Sequence, residues 1–230
     1  GNFMVIIARP ETGKTAFWVS LVASVGGFAW QQKKVSIFAN EEPAIRTQMR
    51  LLNACTGLQR GSILNGSRDL TKKVWGGINP YIENFDCVGK TMDDLNEYCA
   101  NNDVDILIID QLDKINVTGK FNATHEKLRE VYTQARELAK RHNILVIGMS
   151  QASAEAQGRS RVTFSAMENS KTGKAAEADI ILGLGKEDEQ ENFMDDCIRF
   201  VTLSKNKLTG DHKEFEVILR PTISRFAERN

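Results

Sequence analysis

One short segment near the start of the chain restricts the possible folds more than any other feature. It consists of Ala8, Arg9, Pro10, Glu11, Thr12, Gly13, Lys14, Thr15 and Ala16. Up to Thr15 it matches the pattern GxxxxGK[ST], except that alanine, which is also small, replaces the first glycine. The apolar run 3–8 precedes it as a predicted strand, and residues 13 to about 30 follow as a predicted helix. Such a loop directs backbone N–H groups inward, and the helix N-terminus adds a positive dipole end, so the segment predicts an anion site.

The residue types in this segment favour a nucleoside triphosphate with Mg²⁺ as the ligand. Gly13 lets the backbone approach a phosphate closely, and Lys14 is long enough to reach the β- and γ-phosphates. The hydroxyl of Thr15 is a suitable ligand for Mg²⁺. We therefore predict that residues 8–16 bind ATP, or another nucleoside triphosphate, together with Mg²⁺.

The rest of the chain alternates between predicted strands and helices. Apolar runs indicate strands at 35–39, near 81–85, 106–110, 144–149, 179–184, about 197–204 and 213–220. Helices are predicted at 43–56, from 91 to about 101, and around 128–139. Thr91 followed by Asp94 is the pattern of a capping box at the start of the second of these helices. The third has apolar residues spaced three and four positions apart, and these are Leu128, Val131, Tyr132, Ala135, Leu138 and Ala139. This alternation predicts an α/β fold, with a mostly parallel twisted sheet flanked by helices and an antiparallel hairpin at one edge. Since no linker divides the 230 residues, we expect one domain over residues 1–230.

Two further segments and one tryptophan carry specific expectations. The helix at 43–56 is expected to present Ile45, Met49 and Leu52 on one apolar face. Residues 152–174 are polar and contain glycine, and a loop of that length in a compact domain is usually functional. Trp18, in the first helix, is predicted to be a core or subunit-surface residue.

Composition excludes several classes of protein. The chain has 30 basic and 30 acidic residues, so binding of nucleic acid through overall positive charge is not expected. No apolar run reaches the roughly 18 residues of a membrane span, and the N-terminal run lacks the basic region of a signal sequence. The four cysteines form no CxxC pair, which is typical of a reducing compartment. We therefore expect a cytoplasmic protein without a membrane partner, in which local loops make any contact with DNA.

Acidic residues follow two of the predicted strands. Asp110 ends the run 106–110, where an acid would hold the water shell of Mg²⁺. Glu41 and Glu42 follow the strand 35–39, which we expect to lie beside the strand of the phosphate loop. One of these two acids is predicted to orient the attacking water, and the other to lie at the N-terminus of the next helix.

Taken together, these segments resemble the DnaB-type replicative DNA helicase family over nearly the whole chain. The resemblance is carried by residues 8–17, 38–43, 108–112, 149–151, 168–181 and 205–210. It implies a RecA-like ATPase core. The hairpin is closer in shape to that of phage primase-helicases, which implies a viral source and therefore a location in the host cytoplasm.

The resemblance also implies roles for individual residues. Glu41 corresponds to the catalytic glutamate, Asp110 to the metal-binding aspartate and Gln151 to the polar sensor of the γ-phosphate. Lys205 and Lys207 correspond to the hairpin that reaches the nucleotide of the neighbouring subunit, although the family usually has an arginine at the position of Lys207. The predicted DNA-contacting residues lie in the loop that follows Gln151, and these are Arg159, Arg161, Lys171, Gly173 and Lys174.

The function implied is that of an ATP-dependent helicase motor that moves along single-stranded DNA. The resemblance implies a hexameric ring for the full-length protein rather than for this part alone, with a replisome primase and polymerase as further partners. We expect the family's N-terminal primase or primase-binding domain and its linker helix to be absent here. Two alternatives share the site, namely a RecA-type recombination or annealing ATPase and a nucleotide-switched loader or scaffold.

Overall fold

The computed structural model of this chain describes residues 1–66, 68–167, 171–187 and 196–229, with all their side chains except those of 68, 171 and 172. Within them the strands are β1 (Asn2–Ala8), β2 (Val35–Ala39), β3 (Ile82–Asp86), β4 (Ile106–Asp110), β5 (Leu145–Gln151), β6 (Ile180–Gly185), β7 (Ile198–Asn206), β8 (Glu214–Arg220) and β9 (Arg225–Glu228). The helices are α1 (Lys14–Ala23), α2 (Ala44–Thr56), α3 (Arg60–Asn65), α4 (Arg68–Ile78), α5 (Met92–Asn101), α6 (Thr124–His142) and α7 (Lys171–Glu177). None of these helices is long and apolar enough to cross a membrane.

The strands form one sheet in the order β3-β2-β4-β5-β1-β6-β7-β8-β9. Neighbours from β3 to β6 are parallel, whereas β7, β8 and β9 each run antiparallel to the strand before them. Every residue of β2 and β4 is buried, because helices cover both faces of the central sheet. The predicted α/β architecture with an antiparallel hairpin at one edge is confirmed, and β9 extends that edge beyond the prediction.

The two faces of the sheet bury separate apolar clusters. Successive residues of β4 alternate between them, so that Ile108 joins one cluster and Ile109 the other. The first cluster includes Trp18 of α1 and residues of α2, and the second includes residues of α5 and α6. All the apolar positions predicted for the long helix are buried in α6, and these are Leu128, Val131, Tyr132, Ala135, Leu138 and Ala139. A capping box of Thr91 and Asp94 begins α5, as predicted.

The strand order corrects one prediction that concerns the site. β2, which carries Glu41 just beyond its end, does not lie beside β1, because β4 and β5 are inserted between them. In doubly wound parallel sheets the strand order reverses part of the way along the sheet, so strands that follow each other in sequence can be separated, as β1 and β2 are here. Glu41 must therefore reach the phosphate loop across two strands.

Two predictions about helices were wrong, and two helices were not predicted. α1 ends at Ala23 rather than near residue 30, because the chain turns back and Phe28 donates its N–H to the carbonyl of Leu21 at 2.8 Å. In α2 the predicted inward residue Ile45 is 79% exposed, and the buried residues include Thr47 and Leu51 instead. The polar stretch 57–77, for which no helix was predicted, contains α3 and most of α4.

Candidate active site

The carboxyl ends of β1, β2 and β5 border a cleft of about 560 Å³. Residues of the phosphate loop line it together with residues that follow β2, and Gln151 lies at its edge, paired with Ala8 in the register of β5 and β1. Ligands of open α/β sheets usually bind at this position, beyond the carboxyl ends of the strands. The volume is typical of a small-molecule site.

Gly13 of the phosphate loop has a backbone conformation and surroundings that require glycine. Its φ is +102°, and a Cβ atom at this position would lie 2.9 Å from Cδ2 of Leu219. Only glycine adopts this backbone conformation without strain. As the N-cap of α1, Gly13 has no side chain to accept from the first turn, so the N–H groups of that turn remain available to an anion.

Lys14 brings the predicted acids together. Its side chain is only 8% exposed, and Nζ lies 3.3 Å from Oε2 of Glu41 and 3.7 Å from Oδ1 of Asp110. The other oxygen of Glu41 accepts a hydrogen bond from Nζ of Lys114 at 3.1 Å. The long lysine side chain therefore spans the distance that the inserted strands create. Lys14, Glu41 and Asp110, which lie far apart in sequence, meet in one cluster.

Asp110 is the most deeply buried acid of this cluster. One oxygen, Oδ2, accepts hydrogen bonds from Nε1 of Trp18 at 2.8 Å and from the hydroxyl of Thr15 at 3.2 Å. The other, Oδ1, is buried without a hydrogen-bond partner in the described part of the chain. Burial raises the pKa of Asp110, and the nearby Lys14 and the hydrogen bond from Trp18 oppose this rise. Trp18 is thus a core residue, as predicted, but it also orients the acid, which the sequence interpretation missed.

These oxygens fit a hard divalent cation. The hydroxyl of Thr15 and the carboxylate of Asp110 are adjacent. Oδ1 of Asp110 accepts no hydrogen bond among the described residues and has only the ion-pair contact with Lys14 at 3.7 Å, so it is the kind of oxygen that a cation binds. Among the described residues no group of three or more His, Cys, Asp or Glu side chains is placed to hold a metal ion. Mg²⁺ commonly binds one or two protein oxygens and completes its shell with water and phosphate, so two protein ligands are sufficient.

Asn40, which the sequence interpretation did not single out, holds the end of β4 in place. Its side-chain oxygen accepts from the N–H of Gln111 at 2.7 Å, and its Nδ2 donates to the carbonyl of Gln111 at 3.0 Å. Its backbone N–H donates to the carbonyl of Asp110 at 2.7 Å. The peptide between Asp110 and Gln111 is cis. An asparagine directly after a strand was the only signal in the sequence for this contact.

The structure distinguishes the two adjacent glutamates. Glu42 accepts hydrogen bonds from Nε and Nη2 of Arg50 at 2.8 and 2.7 Å, a bidentate pair that lowers the pKa of Glu42. Glu41 faces Lys14 instead. The arrangement therefore leaves Glu41 as the acid directed at the phosphate loop.

A buried network follows the cleft towards the predicted DNA loop, and its centre is Asp113. Oδ2 of Asp113 accepts from the hydroxyl of Ser150 at 2.8 Å and from the N–H of Gln151 at 3.4 Å. Oδ1 accepts from the hydroxyl of Tyr132 at 2.8 Å and forms an ion pair of 2.8 Å with Nζ of Lys174. Lys174 is fully buried, with its ammonium 5.2 Å from the ring centroid of Tyr132. The prediction that Lys174 contacts DNA directly is therefore corrected, because its charge is already paired inside the protein.

The other predicted DNA-contacting residues have different surroundings. Arg159 and Arg161 are exposed, and Nε of Arg161 lies 3.7 Å from a carboxylate oxygen of Glu214. Gly173 belongs to the first turn of α7 rather than to a loop, which corrects the expected end of the loop at residue 174. The side chain of Lys171 lies outside the described residues. The exposed arginines are thus the predicted DNA contacts that the structure leaves accessible.

Lys205 and Lys207 contact their own chain. Nζ of Lys205 donates to the carbonyl of Ala175, and Nζ of Lys207 donates to the carbonyl of Ala176 at 3.1 Å. These carbonyls lie near the end of α7, where carbonyl groups lack partners within the helix. Burial, followed by the neighbouring charge of Lys207, lowers the pKa of Lys205 to about 8. Both lysines therefore cap α7 in this structure.

Comparisons with known proteins show the family and the fold of this chain. The family described as the DnaB-like helicase C terminal domain matches residues 1–228. A probable plasmid replicative DNA helicase of Chlamydia psittaci is 29% identical over 224 residues, which are 90% of this chain and 47% of that protein. The replicative DNA helicase DnaB of Geobacillus stearothermophilus is 24% identical over 171 residues, or 69% of this chain and 37% of that protein. The chain thus spans about half the length, or less, of these curated relatives.

Solved structures share the fold. One of them, described as an ATPase domain, superposes with a TM-score of 0.80 at 21% identity, covering 100% of this chain and 85% of that one. A DnaB-like replicative helicase, solved in a study of its interactions with primase, also has a TM-score of 0.80 at 21% identity. That superposition covers 100% of this chain and 57% of the other. Because the family match extends over almost every residue, this chain belongs to the DnaB-like helicase C-terminal domain family.

Proposed function

We propose that this chain is the motor of an ATP-dependent replicative DNA helicase, which hydrolyses a nucleoside triphosphate between subunits to translocate on single-stranded DNA and separate the duplex. The observation that carries the proposal is the cluster of Lys14, Thr15, Glu41 and Asp110 around the glycine turn at the cleft. Phosphoryl transfer depends mainly on positioned charges and an oriented nucleophile, and this cluster contains both kinds of group.

The residues of the cluster act in distinct ways in this proposal. Residues 8–16 bind the phosphates through backbone N–H groups and through Lys14. Thr15 and Asp110 hold Mg²⁺, which neutralises charge on the phosphates when bound. Glu41 orients and deprotonates the attacking water. Lys14 pairs with Glu41 in this structure, and a bound triphosphate would compete with Glu41 for Lys14 and so leave the carboxylate to the water.

Communication with DNA follows from the position of Gln151. This residue lies at the edge of the cleft, and its N–H contacts Asp113, which also binds Lys174 beyond the loop. A shift of Gln151 towards the γ-phosphate therefore moves both ends of the segment 152–174. Arg159 and Arg161 contact the phosphates of the strand from this segment, through salt-sensitive pairing.

Assembly into a ring completes the site in this proposal. Lys205 and Lys207 leave the end of α7 and approach the nucleotide of the neighbouring subunit, where their charge stabilises the transition state. The primase and polymerase of a replisome are proposed as further partners of the full-length protein.

Steady-state ATP hydrolysis tests the proposal, measured against protein concentration with and without single-stranded DNA. We expect turnover to rise more than linearly with concentration and to increase with DNA. Lys14→Ala should abolish it, whereas Lys73→Ala, which removes an exposed lysine of α4, should not. Turnover that is proportional to concentration and indifferent to DNA would contradict a site shared between subunits. Tight nucleotide binding without turnover in an assembled ring would indicate a nucleotide-switched scaffold instead.

A further inference from the structure

Arg199 of β7 is a buried cation that contacts the phosphate loop from behind. Arg199 is only 4% exposed, and its Nε donates a hydrogen bond to the carbonyl of Thr12 at 2.7 Å. Nη1 donates to the carbonyls of Ile198 at 2.8 Å and Asp196 at 2.5 Å. Within the described ranges Arg199 forms no ion pair with a carboxylate, and burial lowers its pKa.

The contact with Thr12 determines which way one peptide group of the loop points. The peptide between Thr12 and Gly13 is trans, so its C=O and N–H point in opposite directions. Thr12 is 4% exposed, and its carbonyl is directed into the protein at Arg199. The N–H of Gly13 must then point away from the interior, towards the cleft. Arg199 thus holds a donor of the anion cradle in its binding orientation.

The charge of Arg199 also favours an anionic ligand at the loop. Burying a guanidinium is costly, and the hydrogen-bond acceptors of Arg199 among the described residues are carbonyls, which carry only partial charges. A polyphosphate on the outer side of the loop would add negative charge to that of Asp196, which already favours the charged guanidinium. Lysine would not replace Arg199 fully, since its compact ammonium lacks the planar fork that serves several carbonyls at once.

We propose that Arg199 is a positioning residue for nucleotide binding, which orients the peptide between Thr12 and Gly13 and adds positive potential behind the phosphate loop. This inference rests on the proposed binding of a nucleoside triphosphate at residues 8–16. It assigns part of that binding to a strand outside the sequence motif.

Binding of ADP with Mg²⁺, measured by calorimetry on the intact protein, tests the role of Arg199 without requiring turnover. We expect Arg199→Met to weaken binding by about tenfold or more, since a hydrogen bond to a charged group and its orienting effect are lost. Arg199→Lys should recover part of the affinity. Where ATP turnover is measurable, KM should rise more than kcat falls, and the stabilisation of the protein by nucleotide in thermal unfolding should decrease.

Arg225→Met is the matched control. Arg225 also donates to backbone carbonyls, from Nε to Ala54 at 2.5 Å and from Nη2 to Cys55 at 3.0 Å, but at the end of α2. It should lose stability and keep the wild-type affinity. If Arg199→Met behaves in the same way, with affinity within about twofold of wild type, the positioning role is refuted. If the wild-type protein binds ADP but never hydrolyses ATP, the motor function is refuted. The role of Arg199 in nucleotide binding is then still decided by the affinities of the variants. Wild-type protein that binds no nucleotide would refute both.

Discussion

Replacing Asp113 by asparagine is expected to destabilise the protein more than replacing its ion-pair partner Lys174 by methionine. The two side chains lie 2.8 Å apart, but their surroundings differ, since the side chain of Lys174 is 1% exposed and that of Asp113 is 16% exposed. Without the carboxylate, the ammonium of Lys174 remains buried and unpaired. Without the ammonium, Asp113 keeps the hydroxyl donors Tyr132 and Ser150 and some contact with water.

The size of the two effects follows from these surroundings. Loss of one partner from a buried pair costs about 3–5 kcal/mol when the remaining charge has no other partner, which is the case for Asp113→Asn. For Lys174→Met we expect about 1–2 kcal/mol, because the remaining carboxylate is still hydrogen-bonded. In a domain of this length each kcal/mol lowers the melting temperature by roughly 2–4 °C. Melting temperatures should therefore fall by about 10 °C and about 5 °C, respectively.

Thermal and urea unfolding followed by circular dichroism measure both values, and a double variant completes the cycle. Asp113→Asn combined with Lys174→Met should be more stable than Asp113→Asn alone, because the buried unpaired charge is gone. Equal losses in the single variants, or a double variant whose loss is their sum, would refute the account of a coupled buried pair.

Three further predictions concern titration and backbone conformation. Burial raises the pKa of Asp110 in the native protein. Between the ordinary aspartate pKa and this raised pKa, the native protein therefore binds more protons than the unfolded chain. The stability of the protein without added nucleotide should accordingly fall as pH rises through the raised pKa. Urea unfolding measures the free energy of unfolding across this pH range, and in Asp110→Asn the fall in stability with rising pH should be absent. A pH profile of stability that the substitution leaves unchanged would contradict this prediction. Lys207→Met should raise the pKa of Lys205 above about 8, as followed by NMR of labelled lysine side chains; no change would mean that burial alone lowers it. Gly13→Ala should cost about 1–2 kcal/mol and weaken nucleotide binding, because of its φ of +102° and the contact with Leu219; a protein of wild-type stability and affinity would show that the loop adapts.

Local patterns predicted most of the secondary structure because each is set by neighbours along the chain. The apolar run of β4 is buried on both faces, and the capping box at Thr91 begins α5, as expected. The face of α2 shows the limit of this reasoning. Ile45, Met49 and Leu52 have the same i, i+4, i+7 spacing as Thr47, Leu51 and Ala54, displaced by two positions and therefore lying on nearly the opposite side of the helix. Packing against α1 and the sheet decides between the two faces.

The candidate site divides in the same way. The phosphate loop, its lysine and its threonine hydroxyl could be predicted from residues 8–16, since a phosphate loop needs glycine, lysine and threonine at fixed spacing after a strand. The choice of Glu41 over Glu42 came from the family resemblance alone, because its physical cause is the bidentate contact of Glu42 with Arg50, which local spacing does not reveal. The burial of Lys174 depends on Asp113, far away in sequence, so a lysine predicted for DNA became a structural cation.

The features that depend on residues close together along the chain could be predicted from the sequence alone. These are the anion-binding loop, the buried strands and the helix caps. The resemblance to a helicase motor likewise depends on short segments, each of which can be read locally. The order of the strands, the distance that Lys14 spans to Glu41 and the contact of Arg199 behind the loop depend on the tertiary structure. These features join residues from separate strands, and local spacing carries no information about which strands become neighbours. Only the assembled sheet, with β4 and β5 inserted between β2 and β1, brings them together.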